Sequence, residues 1–280
     1  MAPTLTLAHS PDPDDAFMFY ALARDRIPTD GLRFQQVLAD IETLNQRARQ
    51  SAYDITAISF HAYAYLHERY ALLRCGSSFG DGYGPLIVAP AGAHLRPEQI
   101  AGKRIAVPGP LTTAALLLQL HSPGAQTLSL PFDQIPAAVA EKQVDAGVLI
   151  HEGQLTFAAS GLEKVLDLGA WWKQQTGLPV PLGGDAVRRD LSADLVARIA
   201  TVLRRSIQYA LDHRPQALAY ALGFGRGLSP ELADRFVGMY VNRWTLDAGP
   251  DGLRALQLLL DRAADANLIP ARVPVEFRPA

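Results

Sequence analysis

The sequence predicts an α/β protein of two lobes, each a mostly parallel sheet flanked by helices, with a cleft between them. Three observations lead there. Short β-like runs alternate with helical stretches from Thr4 to Arg188, the pattern of sheets built from strand–helix–strand units. The pattern breaks at a glycine-rich loop, Gly80–Pro85 (GDGYGP), and then restarts. The length, 280 residues, is long for one compact core and comfortable for two.

The elements follow in order. Thr4–His9 (TLTLAH) reads as a first strand, broken by Ser10-Pro11-Asp12-Pro13. Asp14–Arg24 is helical, with an acidic first turn that suits the helix dipole. A strand at Leu32–Leu38, a helix at Ile41–Gln50 and a strand at Ile55–Ser59 come next, then a Tyr/His-rich helix over 60–69. After the glycine loop, Leu86–Ala89 is a short strand, Lys103–Val107 another, and Thr112–Leu120 a helix behind the turn Pro108-Gly109-Pro110. Leu128–Pro131 reads as a strand, Phe132–Lys142 as a helix, and Val144–Ile150 as a strand running into His151. Leu182–Arg188 is a second strand-like crossing. Beyond it, Leu191 to about Leu222 and Pro230 onward are helical, with an apolar stripe such as Leu195-Ile199-Val202-Leu203. A chain that leaves one lobe, builds the second and returns would look like this, with 1–88 and 182–280 in the larger lobe and 89–181 in the smaller.

Composition narrows the function. Hydrophobic residues make up 49% and charged residues 19%, which suits a globular chain and not a disordered one. A net charge of −2 without a Lys/Arg block gives no field for nucleic acid or anionic lipid. A single cysteine, Cys75, excludes an intrachain disulfide and fits a reducing compartment. The opening MAPTLTLAHS has no charged and apolar leader pattern, and no apolar run is long enough to span a bilayer. The expectation is a cytoplasmic protein whose partner is a small molecule; oligomeric state is open.

Three segments can carry chemistry. Ser10 to Asp15 joins the end of a strand to the start of a helix, where open α/β sheets bind ligands. Ser10 offers a hydroxyl and the helix start offers free N–H groups to an anion, although Ser and Asp are equally suited to capping. Pro108 to Ala114 repeats the arrangement with Thr112 and Thr113, and capping is again the alternative. It lacks the lysine of a nucleotide-binding P-loop. His151-Glu152-Gly153-Gln154-Leu155 has Leu where a zinc motif needs a second His, which excludes that motif. A His at a strand end can hold and release a proton near neutral pH, though a structural His is the commoner outcome. Ser59 also ends a strand and could face a cleft. His61 and His67 lie six apart and on different helix faces, and Gly80, Gly82 and Gly84 are too close for a dinucleotide fingerprint.

A resemblance adds to this. Ser10-Pro11-Asp12-Pro13-Asp14-Asp15-Ala16-Phe17 resembles the S-P-C-P-N-D-T-F opening of 1,4-dihydroxy-6-naphthoate synthases, enzymes of the futalosine route to menaquinone. The likeness continues in order through Asp40–Asn45, Gly84-Pro85-Leu86, Val107-Pro108-Gly109 with Thr112-Thr113-Ala114, and Ile150-His151-Glu152. It then runs through Asp167–Trp172, Thr176–Pro179, Arg188–Leu191 and Val241-Asn242. It departs at Asp12 and Asp14, where the family opening has Cys and Asn; both departures add negative charge.

The resemblance implies a fold similar to type II periplasmic binding proteins, used as a carbon–carbon lyase without metal or organic cofactor. The implied substrate is cyclic dehypoxanthinyl futalosine, a bicyclic carboxylate joined to a ribose-derived ring. The implied products are the naphthoate and a three-carbon sugar fragment. The family's base falls on His151. Its anion site falls on Thr112 and Thr113 with Ser59 and Asn45 nearby, and Ser10 and Asp14 are further substrate-binding candidates. A non-catalytic solute-binding protein of the same fold, chorismate dehydratase of the same route, and a ligand-binding regulatory module are the competing readings.

Overall fold

The computed structural model describes residues 4–279. The first sheet draws on β1 (Thr4–His9), β2 (Arg33–Leu38), β3 (Ile55–Ser59), β4 (Tyr70–Leu73) and β5 (Ser78–Gly80). Helices α1 (Pro13–Ala23), α2 (Ile41–Ala48) and α3 (Phe60–Leu66) lie between them. The chain then enters the second sheet: β6 (Leu86–Pro90), β7 (Arg104–Val107), α4 (Thr113–His121), β8 (Gln126–Ser129), α5 (Ile135–Ala140), β9 (Ala146–Leu149), α6 (Gly153–Thr156) and β10 (Leu162–Asp167). Through α7 (Leu168–Thr176) it returns to the first sheet as β11 (Val180–Arg188). A helical tail follows: α8 (Ala193–Asp212), α9 (Arg214–Ala221), α10 (Pro230–Tyr240), α11 (Arg243–Leu246) and α12 (Gly249–Asp265), before the short β12 (Phe277–Arg278).

The first sheet has the order β12-β4-β11-β3-β1-β2, with β5 also on β11; the second has β10-β6-β9-β7-β8. Parallel pairing belongs to the strand–helix–strand units, β2–β1–β3 and β8–β7–β9, and to the short β12 on β4. Antiparallel pairing enters where the chain passes between sheets: β11 runs against β3, β4 and β5, and β6 against β9 and β10. A strand that arrives from the other sheet needs no crossover helix, so it is free to pair in the opposite direction.

Burial explains the strand signals. β3 lies between β1 and β11 and all five of its residues are buried, so it carries no charged residue and only the small hydroxyls of Thr56 and Ser59 among apolar side chains. Helix α4 is apolar over most of its surface because it packs against both α3 and β11. One core joins α3 and α12 on the first sheet to β7, β9 and α4 on the second. The amphipathic α8 covers a separate core with α1. Among the described residues no helix is long and apolar enough to cross a membrane.

Several elements differ from the sequence expectation. The Tyr/His-rich helix ends at Leu66, and Tyr70–Leu73 becomes buried β4. The strand expected at Leu128–Pro131 is Gln126–Ser129, drawn toward the amino side by its register with Arg104–Val107. The helix expected from Phe132 begins at Ile135, and Pro136 in its first turn fits that start. Strands β5 and β10 and helix α7 were not anticipated.

Candidate functional site

The carboxyl ends of β1, β3, β7 and β9 point to one region, and the early part of β11 runs through it. Such strand ends are where open sheets expose backbone groups and helix N-termini to a ligand. A pocket of about 800 Å³, its open mouth included, lies there. Ser10, Asp14, Ser59, Thr112, Thr113 and His151 all line it. Asn45 does not. It is fully buried behind Ser59, where its side-chain nitrogen donates to Ser59 Oγ (3.1 Å) and its oxygen accepts from the Ser59 amide (2.9 Å). It orients the serine and does not form the wall.

The two threonines are already engaged. Thr112 is the N-cap of α4: its hydroxyl accepts from the Ala115 amide (3.2 Å) and donates to the Gly109 carbonyl (2.7 Å). Thr113 Oγ1 donates to the Leu182 carbonyl (2.6 Å) and accepts from the His61 amide (3.1 Å), tying α4 to the first sheet. Capping therefore accounts for the Thr112 hydroxyl. The anion-binding capacity at this end resides in the first-turn amides of α4, which have no carbonyl one turn back to bond.

His151 sits at the end of β9 in a left-handed backbone conformation, φ 52°. Gln154 holds that turn. The amide orientation that satisfies its neighbours sends its nitrogen to the Gly84 carbonyl (2.7 Å) and its oxygen to the Tyr240 hydroxyl (3.0 Å) and the His151 amide (3.3 Å). His151 Nδ1 lies 3.2 Å from Asp12 Oδ2, and Phe132 packs edge-on with 5.0 Å between ring centroids. Nε2 is buried and has no partner among the described residues. A ring with one nitrogen beside a carboxylate and the other without a partner, on a residue that lines a pocket, is set to exchange a proton there.

Asp12 is the hub. It is fully buried at the N-cap position of α1, yet its side chain caps nothing. It accepts instead from Ser10 Oγ, faces His151, and takes a hydrogen bond from Arg226 Nη1 at 2.8 Å. The same Arg226 nitrogen donates to Glu152 Oε1 at 2.8 Å, and the guanidinium lies 4.7 Å from the Phe132 ring centroid. Arg226 thus joins the β1–α1 turn to the segment after β9. Sequence reading missed it, because it stands in a short left-handed turn of the helical tail with no motif around it.

Acids dominate this end of the pocket. Burial, reinforced by Asp15 and Asp12, pushes the Asp14 carboxyl up to about 8. Burial and Asp12 raise Asp15 to about 7, even though it accepts the Ser10 amide at 2.7 Å. Burial, with Asp15 adding, holds Asp185 on β11 well above the ordinary carboxylate range. Burial pushes His9, beside Asp15, below the usual imidazole range. Asp12, Asp14 and His151 each offer one potential ligand atom, all within 4.8 Å of one another. The Arg226 guanidinium on Asp12 competes for the space a metal ion would take there.

Two sheets joined by paired crossings, with a pocket where their strand ends meet, define the two-lobed binding-protein class of fold. An alkanesulfonate-binding protein from Xanthomonas axonopodis pv. citri, bound to MOPS, superposes with a TM-score of 0.74 at 16% identity, covering 98% of this chain and 97% of its own. The chain belongs to a narrower group: residues 5–265 match the family described as menaquinone biosynthesis. A Thermus thermophilus 1,4-dihydroxy-6-naphthoate synthase is 41% identical over 264 residues, 94% of this chain and 95% of that protein. A crystal structure of an Archaeoglobus fulgidus protein is 46% identical with a TM-score of 0.90, covering 95% and 98%.

Proposed function

We propose that this protein is a carbon–carbon lyase that converts cyclic dehypoxanthinyl futalosine to 1,4-dihydroxy-6-naphthoate, with His151 as its base. The single observation that carries the assignment is the unengaged Nε2 of His151 in the pocket, opposite an Nδ1 held by Asp12. Family membership and the named Thermus relative supply the substrate class.

The chemistry asks little beyond a base and a fixed pose. His151 Nε2 takes a proton from the ribose-derived ring. The electrons released break a carbon–carbon bond in retro-aldol fashion, and the remaining ring becomes aromatic as the three-carbon fragment leaves. Aromatisation drives the later steps, so the protein contributes orientation, deprotonation and exclusion of water. Asp12 holds the imidazole in one tautomer and stabilises the imidazolium that forms. The substrate's carboxylate goes to the α4 N-terminus beside Ser59, where the helix dipole and free amides favour an anion. A menaquinone precursor would be made in the cytoplasm, which suits a chain with one buried cysteine.

The test is incubation with cyclic dehypoxanthinyl futalosine, following release of the naphthoate. His151→Asn is the informative variant, because Asn tolerates the left-handed backbone. It should lose at least about 100-fold in kcat while still binding substrate. Full turnover by the variant would remove the base from the scheme. Binding without turnover by the wild-type protein would favour a solute-binding role for the same pocket.

A further inference from the structure

Asp185 is a buried acid with no chemistry assigned to it. It stands on β11, is 1% exposed and lines the pocket. Its carboxyl oxygen Oδ2 is fully enclosed and has no hydrogen-bond partner among the described residues. The enclosure is tight: a Cβ built on Gly76, whose φ of 81° already favours glycine, would fall 2.0 Å from that oxygen. The groups facing it do not neutralise a charge. They are Asp15 on α1 and the buried thiol of Cys75. Asp14 stands nearby on α1 with Asp12, His151 and the Tyr240 hydroxyl around it, and His9 adjoins Asp15. The cation that reaches this end, Arg226, is bonded to Asp12 and Glu152.

An ionised carboxylate without donors in such a place is very costly, whereas a neutral carboxyl is a hydrogen-bond donor that needs an acceptor. Position says which acceptor. Asp185 pairs with Ala57 while Gly183 pairs with Ser59, so the acid lies two residues, about 7 Å, along the strand from the Ser59 end. The helix terminus at the Ser59 end attracts a carboxylate; among the described residues no Lys or Arg pairs with Asp14, Asp15 or Asp185 to draw one to the other end. The pocket has an anion end and an end suited to uncharged oxygen.

We propose that Asp185 is a specificity-determining residue that meets the substrate as a neutral carboxylic acid, donating a hydrogen bond from Oδ1, the oxygen that is not enclosed, to a hydroxyl or carbonyl oxygen of its sugar-derived ring. The substrate's identity rests on the function proposed above; the protonation state of Asp185 does not.

The experiment compares wild type, Asp185→Asn and Asp185→Ala. Asn keeps an N–H donor and the shape; Ala removes both. With cyclic dehypoxanthinyl futalosine at pH 7, Ala should raise KM about tenfold, the loss expected for one hydrogen bond whose partner is left unsatisfied. Its kcat should stay within about threefold, and Asn should stay within about threefold in both. Raising the pH should increase the wild-type KM more steeply than that of Asp185→Asn, in which Asp14 and Asp15 still ionise, and a packing role would give the two proteins the same slope. Wild type minus Asp185→Asn infrared spectra at pH 7 should show the carbonyl stretch of a neutral carboxylic acid. Absence of that band overturns the proposal, as does an Asn variant as impaired as Ala. If wild type fails to convert the compound, the proposed function falls and the infrared spectra still decide the state of Asp185.

Discussion

Asp12 Oδ2 lies 3.2 Å from His151 Nδ1, so the turn after the first strand holds the ring at the end of a strand in the other sheet. The carboxylate that orients the proposed base and the base itself are carried by different sheets. The pair exists only when the sheets are correctly set against each other.

Asp12→Asn and Asp12→Cys test that relationship. Asn preserves shape but removes the charge that stabilises a protonated ring, and Cys, the residue of the family's opening motif, removes the contact. Each should lower kcat by about 10- to 100-fold with a smaller effect on KM, the usual cost of losing an orienting partner. Steady-state kinetics on the purified variants decide it, and kcat unchanged in both would show that His151 needs no carboxylate.

Arg226 gives a second prediction. One nitrogen serves both Asp12 and Glu152, a geometry that a lysine ammonium on its flexible stem does not hold. Arg226→Lys should therefore lower kcat/KM nearly as much as Arg226→Ala, by about tenfold. Combining Arg226→Ala with Glu152→Gln should cost less than the sum of the single changes, a coupling read from a double-mutant cycle.

The raised acids predict a pH dependence of stability. Asp14 titrates near 8 in the folded protein and near 3.9 unfolded. Between those values the folded state binds more protons than the unfolded one, so stability falls as pH rises through this window. Asp14→Asn removes that loss. Its melting temperature should exceed that of wild type by a few degrees at pH 8 and by less at pH 5, in calorimetric scans at matched ionic strength. An equal gain at both pH values would show that Asp14 is not a neutral acid in the folded state.

Asn45 acts through Ser59. Asn45→Ala and Ser59→Ala should each weaken substrate binding by about three- to tenfold, and the double variant should be no worse than the poorer single one. Additive losses, measured by titration calorimetry, would mean that Asn45 supports something other than the serine.

Much of this was legible in the sequence because it is local. The strand–helix alternation from Thr4 to Ser59, and the strand ends at His9, Ser59, Val107 and Ile150, follow from apolar runs and turn residues. Those ends then marked the pocket. What was hidden is long-range. Arg226 reaches Asp12 across 214 positions from a turn without a motif. Asp185 looked like one polar residue in a strand, and only the folded sheet shows that its Oδ2 is enclosed without a partner among the described residues. The hydroxyl of Thr112 was an open choice between cap and ligand, decided by the Ala115 amide. β4 lies just past the helix expected over 60–69 and gives no signal in the sequence, because four buried residues carry no period of their own.

Gly84 and Gly169 lie on the two crossings between the sheets, and neither has room for a side chain. A Cβ on Gly84 would fall 2.9 Å from the Gly169 Cα, and one on Gly169 would fall 2.0 Å from the Tyr83 carbonyl oxygen. The crossings touch backbone to backbone, like two bare axles in one bearing. A methyl group at either glycine is a wedge between them, and the Gly84 carbonyl is tied through Gln154 to the amide of His151, so the push is passed to the turn that carries the ring. Proton-transfer geometry degrades steeply over displacements of about 1 Å. The fineness of the chemistry is therefore limited by a place that has no functional group at all, where the smallest possible addition would detune the enzyme without touching a ligand.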